Sequence, residues 1–265
     1  MGEFYGVEIG RDEVRGWSIQ RLPFEPNGWL KDYRGELREA IRSLEPDTGT
    51  HLLAAYASPD REFVDVENVL LYNIGAASYR HLTRGGLEVV RLTSPDRLHH
   101  VSYRSCTGLK PGPVAADVRA RVSLDAFPAD REKPGSWWAA IRPRLVTTGT
   151  ELDGGYEIEI LLRGDAQAFV SLVKPMLDGL ISALHSHDGT HEHHVLGALA
   201  RYGEPRVLWD LLNDSTNEIL GRRTLLRPHG AGVAWNPADD RCSRFSIIPT
   251  ATGPLLSATV RSAAS

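Results

Sequence analysis

Apolar residues at Trp29, Leu30, Tyr33, Leu37, Ile41 and Leu44 recur every three or four positions up to Pro46. That spacing predicts an amphipathic helix over 29–44. Phe169, Leu172, Val173, Met176, Leu177, Leu180, Ile181 and Leu184 repeat the pattern and predict a longer helix over 166–185. A third helix is expected over 205–220, with Pro205 suited to its first turn and Gly221 to its stop. Alternating or β-branched runs predict strands at Phe4–Ile9, His51–Ala57, Leu87–Leu92, Val101–Arg104, Val118–Leu124, Tyr156–Leu162 and Ser243–Ile248. The run Phe63–Tyr72 fits a strand or a helix equally well, and the residues after 248 read as a small-residue, mobile tail.

Strands outnumber helices before residue 160 and helices take over afterwards, which is the segregated order of an α+β fold. The expected architecture is a mainly antiparallel sheet packed by three or more amphipathic helices. A single compact domain over 1–265 is expected, with a subdomain boundary near 127–136, where two prolines, a glycine and four charges precede Trp137 and Trp138.

Composition narrows the class without naming a function. Hydrophobic residues make up 42% and charged residues 24%, a profile that folds rather than stays disordered. No run approaches the roughly 18 apolar residues of a membrane span, so no membrane partner is expected. The acidic start, Met-Gly-Glu-Phe-Tyr-Gly-Val-Glu, lacks the order of a secretory signal, which points to the cytoplasm. Cys106 and Cys242 match neither a zinc ribbon nor a disulfide scaffold and are expected as buried or half-buried thiols. Only four of the 30 basic residues are lysines, an arginine excess that fits a GC-rich bacterial genome. With a net charge of −4 the chain has no global field for nucleic acid, so any phosphate-binding surface must be local.

Three acidic clusters stand out: Asp65-Val-Glu67-Asn68, Lys174-Pro-Met-Leu-Asp178 and Asp239-Asp240-Arg241. Hard cations such as Mg²⁺ take carboxylate oxygens converging from separate segments. On a strand, Asp65 and Glu67 would share a face; on a helix they would diverge. Lys174, Asp178 and His185 fall on one polar face of the expected 166–185 helix, where Pro175 either interrupts the helix or marks its true first turn, the helix then starting later than the periodicity suggests. A second cluster, His185-Ser-His187-Asp188-Gly-Thr-His191-Glu192-His193-His194, reads as a polar surface loop able to take up transition metals. No nucleophile elbow, Walker loop or Rossmann glycine fingerprint occurs.

The order Asp-x-acidic-Asn, then Lys-x-x-x-Asp, then a late Asp-Asp ahead of a strand resembles the motif set of Holliday-junction resolvases of the RusA type, here split by about a hundred residues between Asn68 and Lys174. The resemblance implies a Mg²⁺-dependent nuclease. Asp65, Glu67 and one of Asp239 or Asp240 would hold the metal, Lys174 would face the scissile phosphate and Asp178 would supply the helix carboxylate. The run Phe63-Val-Asp-Val-Glu-Asn-Val also resembles the opening strand of NYN-type ribonuclease domains. The competing expectation is a non-catalytic scaffold or binding subunit meeting protein partners through an apolar patch at Trp137, Trp138 or Trp29.

Overall fold

The computed structural model describes residues 4–59, 65–112, 117–148, 151–230 and 232–263. In chain order the first half contains β1 (Tyr5–Ile9), β2 (Glu13–Ser18), α1 (Trp29–Arg42), β3 (His51–Ser58), α2 (Ala76–Tyr79), β4 (Leu87–Thr93), β5 (His99–Cys106), β6 (Val118–Leu124) and α3 (Pro134–Ile141). The second contains β7 (Val146–Thr147), β8 (Tyr156–Arg163), α4 (Ala166–Phe169), α5 (Val173–Ala183), β9 (Ser186–His187), α6 (Glu192–Leu199), α7 (Pro205–Asn213), β10 (Arg222–Arg223), β11 (Leu226–His229), β12 (Gly232–Trp235), β13 (Cys242–Thr250) and β14 (Leu256–Ser262). The mixture of helices and mostly antiparallel strands agrees with an α+β class. No helix among the described residues is long and apolar enough to cross a membrane.

Contacts divide the chain into two compact units, each drawn from separated segments. The first comprises Met1–Gly112, Glu157–Ser171 and Asp240–Ala251; the second comprises Pro113–Tyr156, Leu172–Asp239 and Thr252–Ser265. The 127–136 segment lies inside the second unit.

In the first unit the strands run in the order β1-β2-β5-β3-β4-β13-β8. From β1 to β13 pairing is antiparallel except between β3 and β4, where Leu52 lies beside Leu87 and Ala54 beside Val89. Leu52, Ala54 and Tyr56 of β3 share the buried face with Val101 and Tyr103 of β5, as period-two alternation requires. Helix α1 buries Leu30, Tyr33, Leu37, Ala40 and Ile41. Gly16 of β2 makes its close approach feasible: a Cβ there would stand 2.6 Å from the Tyr33 hydroxyl and 2.8 Å from a Leu37 methyl.

The run at 63–72 resolves as helical from Val66 on, with Phe63 and Val64 outside the described residues. Asn68–Tyr72 forms a π turn, closed by the Asn73 N–H donating to the Asn68 carbonyl at 2.9 Å. Val69, Leu70 and Leu71 bury against the sheet, and Tyr103 Oη donates to the Leu70 carbonyl at 2.8 Å.

In the second unit, β14-β6-β7 form a three-stranded antiparallel ribbon. The mobile-tail expectation is overturned here. Leu256, Ala258 and Val260 alternate inward opposite Leu124, Val122 and Ala120, a period-two pattern that small residues disguise. The expected 166–185 helix is broken: α4 ends at Phe169, a 3-10 turn follows, and α5 begins at Val173. Pro175, lacking an N–H, sits where a first turn leaves N–H groups unbonded anyway. The 205–220 helix stops at Asn213, because Asp214 Oδ1 turns back to accept from the Thr216 N–H at 2.9 Å and its hydroxyl at 2.6 Å. Strand β1 was expected, whereas helices α3 and α6, strand β2 and the hairpin β11–β12 had no clear periodic signal.

Candidate functional site

The acidic residues singled out above fall into three local settings. Asp65 caps the helical turn it precedes: its carboxylate accepts from the Asn68 backbone N–H at 3.1 Å and from Asn68 Nδ2. Glu67 is only 5% exposed, on the buried side of that turn. On helical backbone, residues two apart diverge by roughly 200°, so the shared strand face for Asp65 and Glu67 does not exist. Lys174 and Asp178 do meet, with Nζ 3.3 Å from Oδ1 in an ordinary i, i+4 pair on α5. Asp239 and Asp240 lie in a single 3-10 turn ahead of β13, and the Asp240 carbonyl accepts from Arg91 at 2.6 Å. Among the described residues no three His, Cys, Asp or Glu side chains gather as a cation site.

His185 is not on the polar face with Lys174 and Asp178. The helix ends at Ala183, and His185 is 1% exposed beyond it. Its Nδ1 lies 2.8 Å from the Gly221 carbonyl and its Nε2 accepts from the Ala238 N–H at 3.2 Å, which fixes a neutral ring with the proton on Nδ1. His187, equally buried, has the opposite tautomer: Nε2 lies 2.8 Å from the Thr190 carbonyl and Nδ1 accepts from the Leu225 N–H at 3.1 Å. Two of the five histidines of the expected surface cluster are thus structural, and His191, His193 and His194 form its exposed remainder.

Beside this pair, burial pushes the Asp188 carboxyl up. Hydrogen bonds from the Thr190 and Thr224 hydroxyls and the Thr190 backbone N–H outweigh that effect and bring it down to about 2. A folded-state value below the unfolded one means stabilisation that is complete above the usual carboxylate range and lost as pH falls toward 2. Unfolding midpoints of the wild type and Asp188→Asn should therefore differ at pH 6 and converge near pH 2. Parallel curves across that range would remove Asp188 from the account.

Trp137 and Trp138 are fully buried, which overturns the expected patch at this pair. Trp29 is stacked on Phe4 and Tyr5 with centroids 5.6 and 6.0 Å away. The aromatic surface that does exist was not foreseen. Phe24 and Tyr72, 56% and 50% exposed, stack face to face with centroids 5.1 Å apart and planes 13° from parallel.

This pair adjoins one flank of α1. Lys31, Arg34, Arg38 and Arg42 fall within about 80° of one another around the helix, while Asp32, Glu36 and Glu39 occupy the other flank. Arg34 donates to the Phe24 carbonyl at 3.3 Å. Arg38 donates to the carbonyls of Ile74 at 2.6 Å and Asn73, next to Tyr72, at 3.0 Å. Asn73 in turn donates to the Leu22 carbonyl at 2.9 Å, joining the two aromatic segments. Burial, and then the charges of Arg34 and Arg42, lower the Arg38 pKa, so three guanidinium groups crowd one ridge. Their spacing could have been read from the sequence; the stacked pair, 48 positions apart, could not. No protein-family model, curated protein or solved structure matches the chain.

Proposed function

We propose that the first unit binds single-stranded nucleic acid along the α1 ridge, with phosphates on Lys31, Arg34 and Arg42 and a base stacked on the Phe24–Tyr72 pair. The observation that carries this reading is the adjacency of a one-sided cationic stripe and an exposed, parallel aromatic pair. Cations tracking a backbone beside aromatic faces are the two parts of a sequence-tolerant single-strand site. The ridge also meets the requirement that a chain of net negative charge bind phosphate locally.

Binding of fluorescent 12-nucleotide DNA and RNA strands tests it by anisotropy across a salt series. Phe24→Ala should cost about 1–3 kcal/mol, and Arg34→Ala with Arg42→Ala should flatten the logarithmic salt slope by roughly 1.4. Affinity and slope unchanged in both variants would overturn the proposal. Mg²⁺-assisted cleavage of the same strand is a second reading, favoured by the position of Asp65 at the head of the turn that carries Tyr72. Its signature is shortening of the strand in Mg²⁺ that Asp65→Asn abolishes.

A further inference from the structure

We infer that Cys106 is a reactive thiol that exchanges with small zwitterionic disulfides, served by His51 and by a mixed-charge cavity at the end of β5. The β3–β5 ladder places His51 directly opposite Cys106, so the two side chains leave the same sheet face with Cβ atoms about 5 Å apart. His51 is 4% exposed and its Nδ1 has no hydrogen-bond partner, an unusual state for a buried ring nitrogen. Its Nε2 faces the Glu88 carboxylate at 3.6 Å, and Arg244 holds the other Glu88 oxygen at 2.5 Å. His51 and then Arg244 bring the Glu88 carboxyl below its usual range against the opposing effect of burial, so an anion backs the imidazole. Sulfur, base and orienting carboxylate thus lie in sequence across three adjacent strands.

The sulfur is also open to ligands. Cys106 is half-buried on the wall of a cavity of about 420 Å³ with Arg11 and Arg104 as its cations and Asp12, Glu45 and Asp47 as its anions. Arg104 Nε donates to Cys106 Sγ at 3.2 Å, holding positive charge against the atom that bears negative charge when it reacts. Five charges of both signs around one thiol suit a ligand carrying a carboxylate and an ammonium together. In the exchange, the Sγ proton passes to His51 by way of a water, since the two are not directly hydrogen-bonded, as Sγ attacks one sulfur of the disulfide. A protein–ligand S–S bond forms, the ligand's own S–S bond breaks, and the departing thiolate takes the proton. The disulfide is the oxidant, so electrons balance.

The test is intact-protein mass spectrometry against time at pH 7 with cystine, cystamine or dithiodiglycolate at equal concentration, followed by peptide mapping. Cys106 should be modified first, with buried Cys242 as the internal reference, and cystine should react about tenfold faster than the purely cationic or purely anionic disulfide. His51→Gln should slow all three reagents, whereas Arg104→Gln, at an exposed position, should remove the preference for cystine. Equal rates for the three reagents, first modification at Cys242, or a folded His51→Gln protein reacting at the wild-type rate would each overturn the inference.

Discussion

Replacing Arg142 by alanine is expected to destabilise the second unit by about 3–5 kcal/mol, visible as a fall in the unfolding midpoint on the order of 10 °C. Arg142 follows α3 and is 1% exposed, among the largest wholly buried side chains. Its Nη1 donates to the Ala183 carbonyl at 2.5 Å and to that of Asn217 at 3.5 Å, and its Nη2 donates to the Asp214 carbonyl. Ala183 is the last residue of α5 and Asp214 the first beyond α7, so one guanidinium satisfies carbonyls that two helix ends and a loop leave open. Burial lowers its pKa, with Asp214 and Glu218 opposing, which is the mark of a cation kept in the core by its acceptors. Alanine would strand those carbonyls and leave a cavity. Lysine should recover only part of the loss, because one ammonium cannot span acceptors arranged for a planar fork. Thermal unfolding followed by circular dichroism measures this, and a loss below about 1 kcal/mol for Arg142→Ala would refute the clamp.

Gly179→Ala should also destabilise, by about 1–3 kcal/mol, although alanine is the better helix former by nearly 1 kcal/mol. At this position α5 crosses α3. A Cβ on Gly179 would lie 2.4 Å from the Trp137 Cβ, 2.6 Å from the Pro134 carbonyl oxygen and 2.9 Å from the Trp138 nitrogen. Two of these neighbours are backbone and cannot rotate away, so the helices would have to separate. Gly197 of α6 provides the opposite sign: it is exposed, a Cβ there meets nothing within 4 Å, and Gly197→Ala should gain about 0.5–1 kcal/mol. Chemical denaturation of the two variants separates the effects, since propensity alone would stabilise both.

Arg142 and Gly179 also mark where the sequence stops being informative. Nothing near Arg142 distinguishes it from the other arginines; its role depends on carbonyls at 183, 214 and 217 that only the folded chain brings to it. Gly179 sits inside a well-formed apolar repeat and reads as a mild defect until α3 is placed against it. The setting of the acidic cluster at Asp65 and Glu67 stayed open for a related reason. A strand reading would pair Asp65 with Glu67, but Val66, Val69, Leu70 and Leu71 all bury on a helical turn, and the two carboxylates part.

Periodicity alone determined α1, the long strands from β3 to β6, β8 and β13, and the α+β class, because burial on one face imposes a repeat of 3.6 or 2 that survives without partners. The same logic located α5 but left its start open between 166 and the turn at Pro175, since periodicity carries no record of where the backbone bonds begin; the structure begins the helix at Val173. Tertiary structure decided the rest. It turned a small-residue tail into β14, buried two histidines of an apparent surface cluster, and stacked Phe24 on Tyr72 beside the basic flank of α1. It also set Cys106 opposite His51. Each of these joins residues distant along the chain, and a local pattern reports which face is buried but not what it is buried against.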